Sequence, residues 1–370
     1  MRPIPKRVRH MTSASARRAR SATLPPLAMN FLRNLLRRPD RFPPNLTAAM
    51  DGTYTRVVSP HGTLVLIICD VRAAKQRPGM LHASWTPYDG GPKSPNAWRV
   101  DAFSPALRHT RRPAKDGVVP FTLLSDGEGK GSFDVSAEGT EHVFEVDIEK
   151  VGRRRIVLNT SNRVPWCDGS ATTGPEGWIS RLGSILPLHW HVQSRGSRAW
   201  WRVESLDGQQ AEDGLGRGWA GEGVAHMEKN WCAFSAGALM FRADNYCRGT
   251  SFPPNWIWLQ AVPNPSSTPS ASEPAFSFAL AGGLLPSFLP SLPPLPFEAY
   301  LSGLRVPSAS IEWDFRPPWT LRVLGWSPWT SISRDAKHGR LRLTLHSAFF
   351  RRRVVVESIG DPVSSSQDLQ

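Results

Sequence analysis

An all-β architecture, a sandwich or a pair of barrels, is predicted by three observations. From Thr53 onward the chain consists of short runs rich in Val, Ile, Phe, Tyr, Trp and Thr, residues that suit a pleated, half-buried surface. Gly, Pro, Asn and Asp punctuate these runs as turns would. No stretch sustains the apolar periodicity of an amphipathic helix. Residues 54–58 and 63–71, joined by Ser59-Pro60-His61-Gly62, make the first predicted hairpin. Residues 132–136 and 142–148 around Ala137-Glu138-Gly139-Thr140 repeat the pattern, as do 341–348 and 352–359. Residues 262–274 are rich in Pro and Ser and predict a long loop, and 363–370 form a polar tail. At 370 residues the chain exceeds one compact domain of usual size, so one large β domain or two smaller ones fit.

The formal charge of +14 suggests an anionic partner until its distribution is read. Residues 1–39 hold ten Lys or Arg and no acid, contributing +10 and leaving +4 to the body. That body has no basic helix interleaved with aromatics, and the arginine triplets at 153–155 and 351–353 read as solvated strand ends. No nucleic-acid partner is therefore expected. The leader, rich in Arg, Ser and Ala, has the composition of a mitochondrial transit peptide, the alternative being a disordered or misassigned start. The longest apolar stretch, 279–301, carries Pro286, Pro290, Pro293, Pro294 and Pro296, which would break a spanning helix. No transmembrane span is expected, and peripheral contact with a membrane or lipid droplet remains open. Cys69, Cys167, Cys232 and Cys247 show no CxxC pairing, which fits a reducing, intracellular compartment.

Fifteen tryptophans must mostly fill core and rim. Those lying among polar residues at strand spacing carry more information. Alternation places His189, His191 and Gln193 on one strand face with Trp190 opposite, and His226, Glu228 and Asn230 on one face with Met227, Lys229 and Trp231 opposite. Trp256, Trp258 and Gln260 point together in the same way. These strands are expected to line one pocket that mixes imidazole, carboxylate and indole. Such a pocket suits two chemistries. His-x-His on one strand and His-x-Glu on another would surround a metal ion with three imidazoles and a carboxylate. Alternatively, Glu228 or Asp314, acids embedded among tryptophans, would protonate an apolar substrate whose cation the indole faces stabilise. An ion pair of Glu228 with Lys229, or of Asp314 with Arg316, is the plain structural alternative.

Four segments carry a resemblance. Gly174-Pro175-Glu176-Gly177-Trp178, then Leu186-Pro187-Leu188-His189-Trp190-His191-Val192-Gln193-Ser194, then Glu228-Lys229-Asn230-Trp231, then Ser251-Phe252-Pro253-Pro254-Asn255-Trp256-Ile257-Trp258-Leu259-Gln260 resemble, in order, the signatures of the tocopherol cyclase-like family, in a fungal-type form. Asp51-Gly52-Thr53-Tyr54, Leu280-Ala281-Gly282-Gly283 and Asp314-Phe315-Arg316-Pro317-Pro318-Trp319 support it. The resemblance implies two lipocalin-like antiparallel β-barrels, related to the hydroxyneurosporene synthase and AttH proteins: residues 51–195 and 196–361, between a leader of residues 1–50 and a tail of 362–370. It also implies an intramolecular lyase, an isomerase that closes a vitamin E-like chromanol ring on a prenylated quinol without a cofactor. The expected partner is a hydrophobic prenylated small molecule. Noncatalytic lipid binding or a scaffold role on the same fold is the alternative. The catalytic candidates are Glu228, His226, His189, His191 and Asp314. The substrate-binding candidates are Trp178, Trp190, Asn230 and Trp231, with Trp256, Trp258 and Gln260 from the last signature.

In that family pattern Trp231 runs directly into a small residue and the Ser251-Phe252-Pro253 turn, so residues 232–248 interrupt it. Trp231-Cys232 necessarily encodes the GT of a splice donor, and Cys247-Arg248 can encode an acceptor. The segment therefore reads as an in-frame translated intron, with a loop insertion as the alternative. The strands on either side of it are expected to form a hairpin. Family members continue with further strands after the region matching 351–361, so an unclosed second barrel is also expected.

Overall fold

The computed structural model describes residues 40–46, 48–72, 77–149, 151–180, 188–207, 219–232, 257–263, 276–284, 297–335 and 340–359. The leader 1–39, residues 233–248 of the interruption, 264–274 of the expected loop, Trp256 and the tail 362–370 lie outside the described residues. No described helix is long and apolar enough to cross a membrane.

The chain is nearly all strand. β1 (Met50–Val58), β2 (Gly62–Val71), β3 (Gly79–Pro87) and β4 (Trp98–Ser104) form an antiparallel meander. β5 (Leu107–Arg111), β6 (Phe121–Asp126), β7 (Lys130–Val135), β8 (Thr140–Ile148) and β9 (Gly152–Ser161) form a second one. β10 (His189–Ser205) pairs with β9, and β11 (Ala220–Cys232) lies between β10 and β1, which joins both meanders into one sheet of 11 strands. The sheet rolls into a nearly closed barrel. Its β4 edge meets the turn after β6, where Glu128 N–H donates to Phe103 O at 2.9 Å. Gly127 sits so close to that edge that a Cβ there would lie 2.2 Å from Phe103 O.

Strand alternation explains the filling. β2 and β3 bury every second side chain, and Leu64, Leu66, Ile68, Leu81, Ala83 and Trp85 share one interior cluster with Phe121, Phe133, Phe144 and Met227. Burying each such side chain is worth about 1.5–3 kcal/mol. The first two predicted hairpins are β1–β2 and β7–β8, and the third is β18 (Arg340–His346) with β19 (Arg353–Ile359).

β12 (Ile257–Ala261), β13 (Ser277–Leu284), β14 (Phe297–Val306) and β15 (Ile311–Phe315) form a second sheet, with β16 (Leu321–Val323) also paired to β14. β17 (Thr330–Asp335), β18 and β19 form a third. These two sheets close one core through Leu280, Tyr300, Phe315, Leu343 and Leu345. β13 is buried on both faces: Phe278 and Leu280 enter that core, while Ala279 and Ala281 pack on Trp166, Trp190 and Val192 of the barrel side. Small residues are needed at this seam. A Cβ on Gly303 would lie 2.3 Å from the Trp166 ring.

Two expectations change. The division at 195/196 falls inside β10, which runs unbroken to Ser205, and β11 also belongs to the first sheet, so that sheet ends at Cys232. The hairpin expected of the strands flanking the interruption does not form: both ladder positions of β11 are taken by β1 and β10, and β12 pairs with β13 instead. Cys232 itself is a buried strand residue opposite Met50, so the interruption begins after it in the fold.

The barrel interior also holds a histidine. His142 is buried against Phe133 (centroids 4.3 Å apart), with Nε2 3.3 Å from Thr55 Oγ1 and Nδ1 without a partner. Burial depresses its pKa from 6.5 to about 3. Below pH 6.5 the unfolded chain thus takes up a proton that the folded one refuses, and stability falls until about pH 3. Each unit of pH in that window costs about tenfold in the folding equilibrium per histidine. His142→Gln is expected to remove one proton from the slope of stability against pH between pH 6 and about 4. Urea titrations across that range read it, and an unchanged slope would refute the assignment.

Candidate functional site

The site is organised by the register of β10 against β11. His189 lies opposite Trp231, Trp190 opposite Asn230, His191 opposite Lys229 and Val192 opposite Glu228. Directly opposed residues share a face, so Glu228, His226 and Asn230 share theirs with Trp190 and Val192. His189, His191 and Gln193 share the other with Trp231 and Lys229. The expected single pocket is therefore two sites back to back. Three imidazoles and a carboxylate cannot surround one ion here, because the sheet separates His189 and His191 from His226 and Glu228.

The outer face centres on Glu228, which is fully buried. His226 Nε2 lies 3.0 Å from Oε2, and Asn230 Nδ2 donates to Oε1 at 3.0 Å. β12 supplies two more donors, Gln260 Nε2 at 2.9 Å and Trp258 Nε1 at 3.3 Å, both to Oε2. Trp258 and Gln260 thus point together, as alternation requires. Tyr54, opposite Glu228 on β1, packs its ring 4.7 Å from Trp258. Burial raises the Tyr54 pKa, the charge of Glu228 adds to the rise, and Arg56 opposes it. Arg56 spans the same seam by donating to Gln260 O at 3.0 Å.

The inner face has different chemistry. Glu176, buried in the Gly174-Pro175-Glu176-Gly177 turn, accepts from Trp190 N–H at 2.6 Å and lies 3.1 Å from His189 Nδ1. His189 in turn stacks on Trp231, with ring centroids 4.9 Å apart and planes 7° from parallel. Lys229 is buried, pairs with Asp51 at 3.0 Å and donates to the carbonyls of Asp40 and Pro43. Burial lowers its pKa, and Asp51 opposes the shift. His191 is held well below its ordinary value by burial, with Arg41, Lys229 and Arg163 adding to the effect, and its Nε2 has no partner. A shallow cleft with an enclosed volume of only about 10 Å³ opens here, lined by Arg41, Glu176, Ser180, His191 and Trp231 among others.

Asp314 belongs to neither cluster. It accepts from Trp166 Nε1 at 2.8 Å and pairs with Arg316, whose Nε donates to Pro175 O at 2.6 Å. Burial raises its pKa against the pull of Arg316, Trp166 and the buried Arg195. This is the plain ion pair, used to tie β15 to the Glu176 turn. Trp190 and Trp166 pack edge to face at the seam, 5.8 Å apart. Trp178 is 56% exposed and lines no part of the cleft, so it does not join the other candidates. Glu176, Tyr54 and Asp51 were not singled out from the sequence. Each lies inside a quoted signature, but nothing in a signature says which polar side chain turns inward.

Glu176→Ala would leave Trp190 N–H and His189 Nδ1 without their acceptor and is expected to cost about 1–3 kcal/mol of stability. Trp178→Ala, at a solvent-facing position, should change it by less than about 0.5 kcal/mol. Thermal melts of the two variants side by side provide the comparison, and equal effects would contradict it.

No family model matches the chain, and no curated protein matches it. Among solved structures, the crystal structure of CghA with Sch210972 is similar at 11% identity, covering 88% of this chain and 83% of that one with a TM-score of 0.50. A further crystal structure of CghA covers 88% and 82% at the same identity, with a TM-score of 0.49. At this identity the likeness is one of fold alone, an all-β barrel architecture.

Proposed function

We propose that this chain is a cofactor-free cyclase of a prenylated quinol or related prenylated phenol, with the Glu228–His226 pair as its proton source. One observation carries the reading: a fully buried carboxylate sits 3.0 Å from an imidazole and accepts from the indole N–H of Trp258, at the seam between two sheets. The ordered tocopherol cyclase-like signatures supply the substrate class. The proton between His226 Nε2 and Glu228 Oε2 is transferred to the tail alkene and leaves a tertiary cation. The phenol oxygen then bonds to that carbon, and its O–H proton returns to the pair. Atoms and charge balance with no cofactor, and the product is an isomer of the substrate. A cation formed against the face of Trp258 or Tyr54 would be stabilised by about 0.5–2 kcal/mol. Such a substrate is drawn from a membrane or lipid droplet.

Noncatalytic lipid binding or a scaffold role is the second reading, favoured by the full engagement of both Glu228 oxygens. A metal-dependent enzyme is the least supported, since the register divides its ligands between two faces.

Incubation with a prenylated quinol in D2O separates the first two readings. Cyclisation should place one non-exchangeable deuteron beside the new carbon–oxygen bond. Glu228→Gln is expected to slow ring closure by about a hundredfold or more while quinol still quenches tryptophan fluorescence. Lipid that copurifies and is identified by mass spectrometry, with no ring closure by the wild type, would instead establish the noncatalytic reading.

A further inference from the structure

We propose that the end of the molecule formed by the 323–326 turn and the 347–352 loop is a docking surface for an anionic lipid membrane. Val323 and Trp326 bond to each other in both directions, at 2.8 and 3.0 Å, across a two-residue turn. Leu324 and Gly325 in that turn have φ of 51° and 77°. Asparagine or glycine is the ordinary occupant of such a position, because a bulky side chain is disfavoured at positive φ. Here a leucine holds it, 82% exposed, beside Trp326 at 71%. The second loop repeats the device. Phe349 and Phe350 have φ of 55° and 56° and are 76% and 54% exposed.

The second loop packs against the segments that flank the first turn in the chain. His346 N–H donates to Trp329 O at 2.9 Å, and the Trp319 ring lies 5.1 Å from Trp329 and 5.7 Å from Phe349. The 347–352 loop is closed by Ser347 N–H to Arg352 O and Arg352 N–H to Ser347 Oγ, both at 3.0 Å. Rigid tips present large apolar side chains at little cost in ordering on binding.

Charge selects the partner. Arg351, Arg352 and Arg353 stand together in the second loop and at the start of β19, whereas Arg322 of the first turn is paired with Glu298. Arg351 and Arg352 follow Phe349 and Phe350 directly, with their guanidinium groups over the rings of Phe349 (6.0 Å) and Trp313 (5.5 Å). Aromatic tips beside cationic groups match the boundary between acyl chains and anionic headgroups. The arginine triplet read from sequence as a solvated strand end thereby gains a ligand, a lipid headgroup. This inference rests on the surface alone. A chain that binds vesicles and closes no ring would keep it and lose the cyclase reading.

The test uses the full chain, sedimented with phosphatidylcholine vesicles prepared with and without phosphatidylserine. Binding is expected to require phosphatidylserine and to weaken with salt. Arg351→Gln with Arg352→Gln should lower the partition coefficient by about fivefold per arginine. Leu324→Ser with Trp326→Ser should lower it by about tenfold or more, with circular dichroism and melting temperature unchanged. Failure of the wild type to sediment with either vesicle, or equal sedimentation of all variants, would overturn the proposal. Self-association that the apolar changes abolish, without vesicle binding, would overturn it as well by assigning the surface to a second copy of this chain.

Discussion

The buried carboxylate of Glu228 is the interaction on which the arrangement of the sheets depends. An uncompensated carboxylate away from water costs several kcal/mol, so burying it demands donors. β11 supplies His226 and Asn230 from its own face, and β12 supplies Trp258 and Gln260. The second sheet is therefore held to the barrel by more than apolar contact. Arg56 and Tyr54 on β1 join the same network from the other neighbour of β11, and Ala279 and Ala281 on β13 let the backbones approach.

The opposite face of the same two strands solves a different problem. Lys229 is buried one residue beyond Glu228, yet the sheet lies between them. Its charge is met by Asp51 and by two backbone carbonyls of the 40–45 segment. The imidazole of His189 is held between Glu176 and Trp231. Neighbouring residues of opposite charge in Glu228-Lys229 thus never pair, because successive strand side chains leave the sheet in opposite directions. The Asp314–Arg316 pair, at i and i+2 on one face, does form and anchors the Glu176 turn from the second sheet.

The tryptophans divide along the same line. Trp85, Trp98, Trp190 and Trp231 are buried with no partner for Nε1, so their contribution is area and packing. Trp166 and Trp258 direct theirs at carboxylates, the half-buried Asp314 and the fully buried Glu228. Both stand where the barrel meets the second sheet. Trp326 does neither, being solvent-facing at a turn tip where Arg322 donates to Gly325 O.

The sequence by itself determined the strand class, the three hairpins and the facial grouping within each strand, since these follow from local alternation and turn residues that need no knowledge of partners. His226, Glu228 and Asn230 share a face for that reason, and so do Trp258 and Gln260. Only the tertiary structure decided which strand lies beside which, and with it the register that sets His189 opposite Trp231 and Val192 opposite Glu228. One residue of slip would have brought His189, His191 and Glu228 to a common face. The pairing of β12 with β13 rather than β11, the passage of β10 through residues 195 and 196, and the inward turn of Glu176 were decided there too. Each is set by competition for hydrogen-bond partners among segments far apart in the chain, which no local pattern encodes.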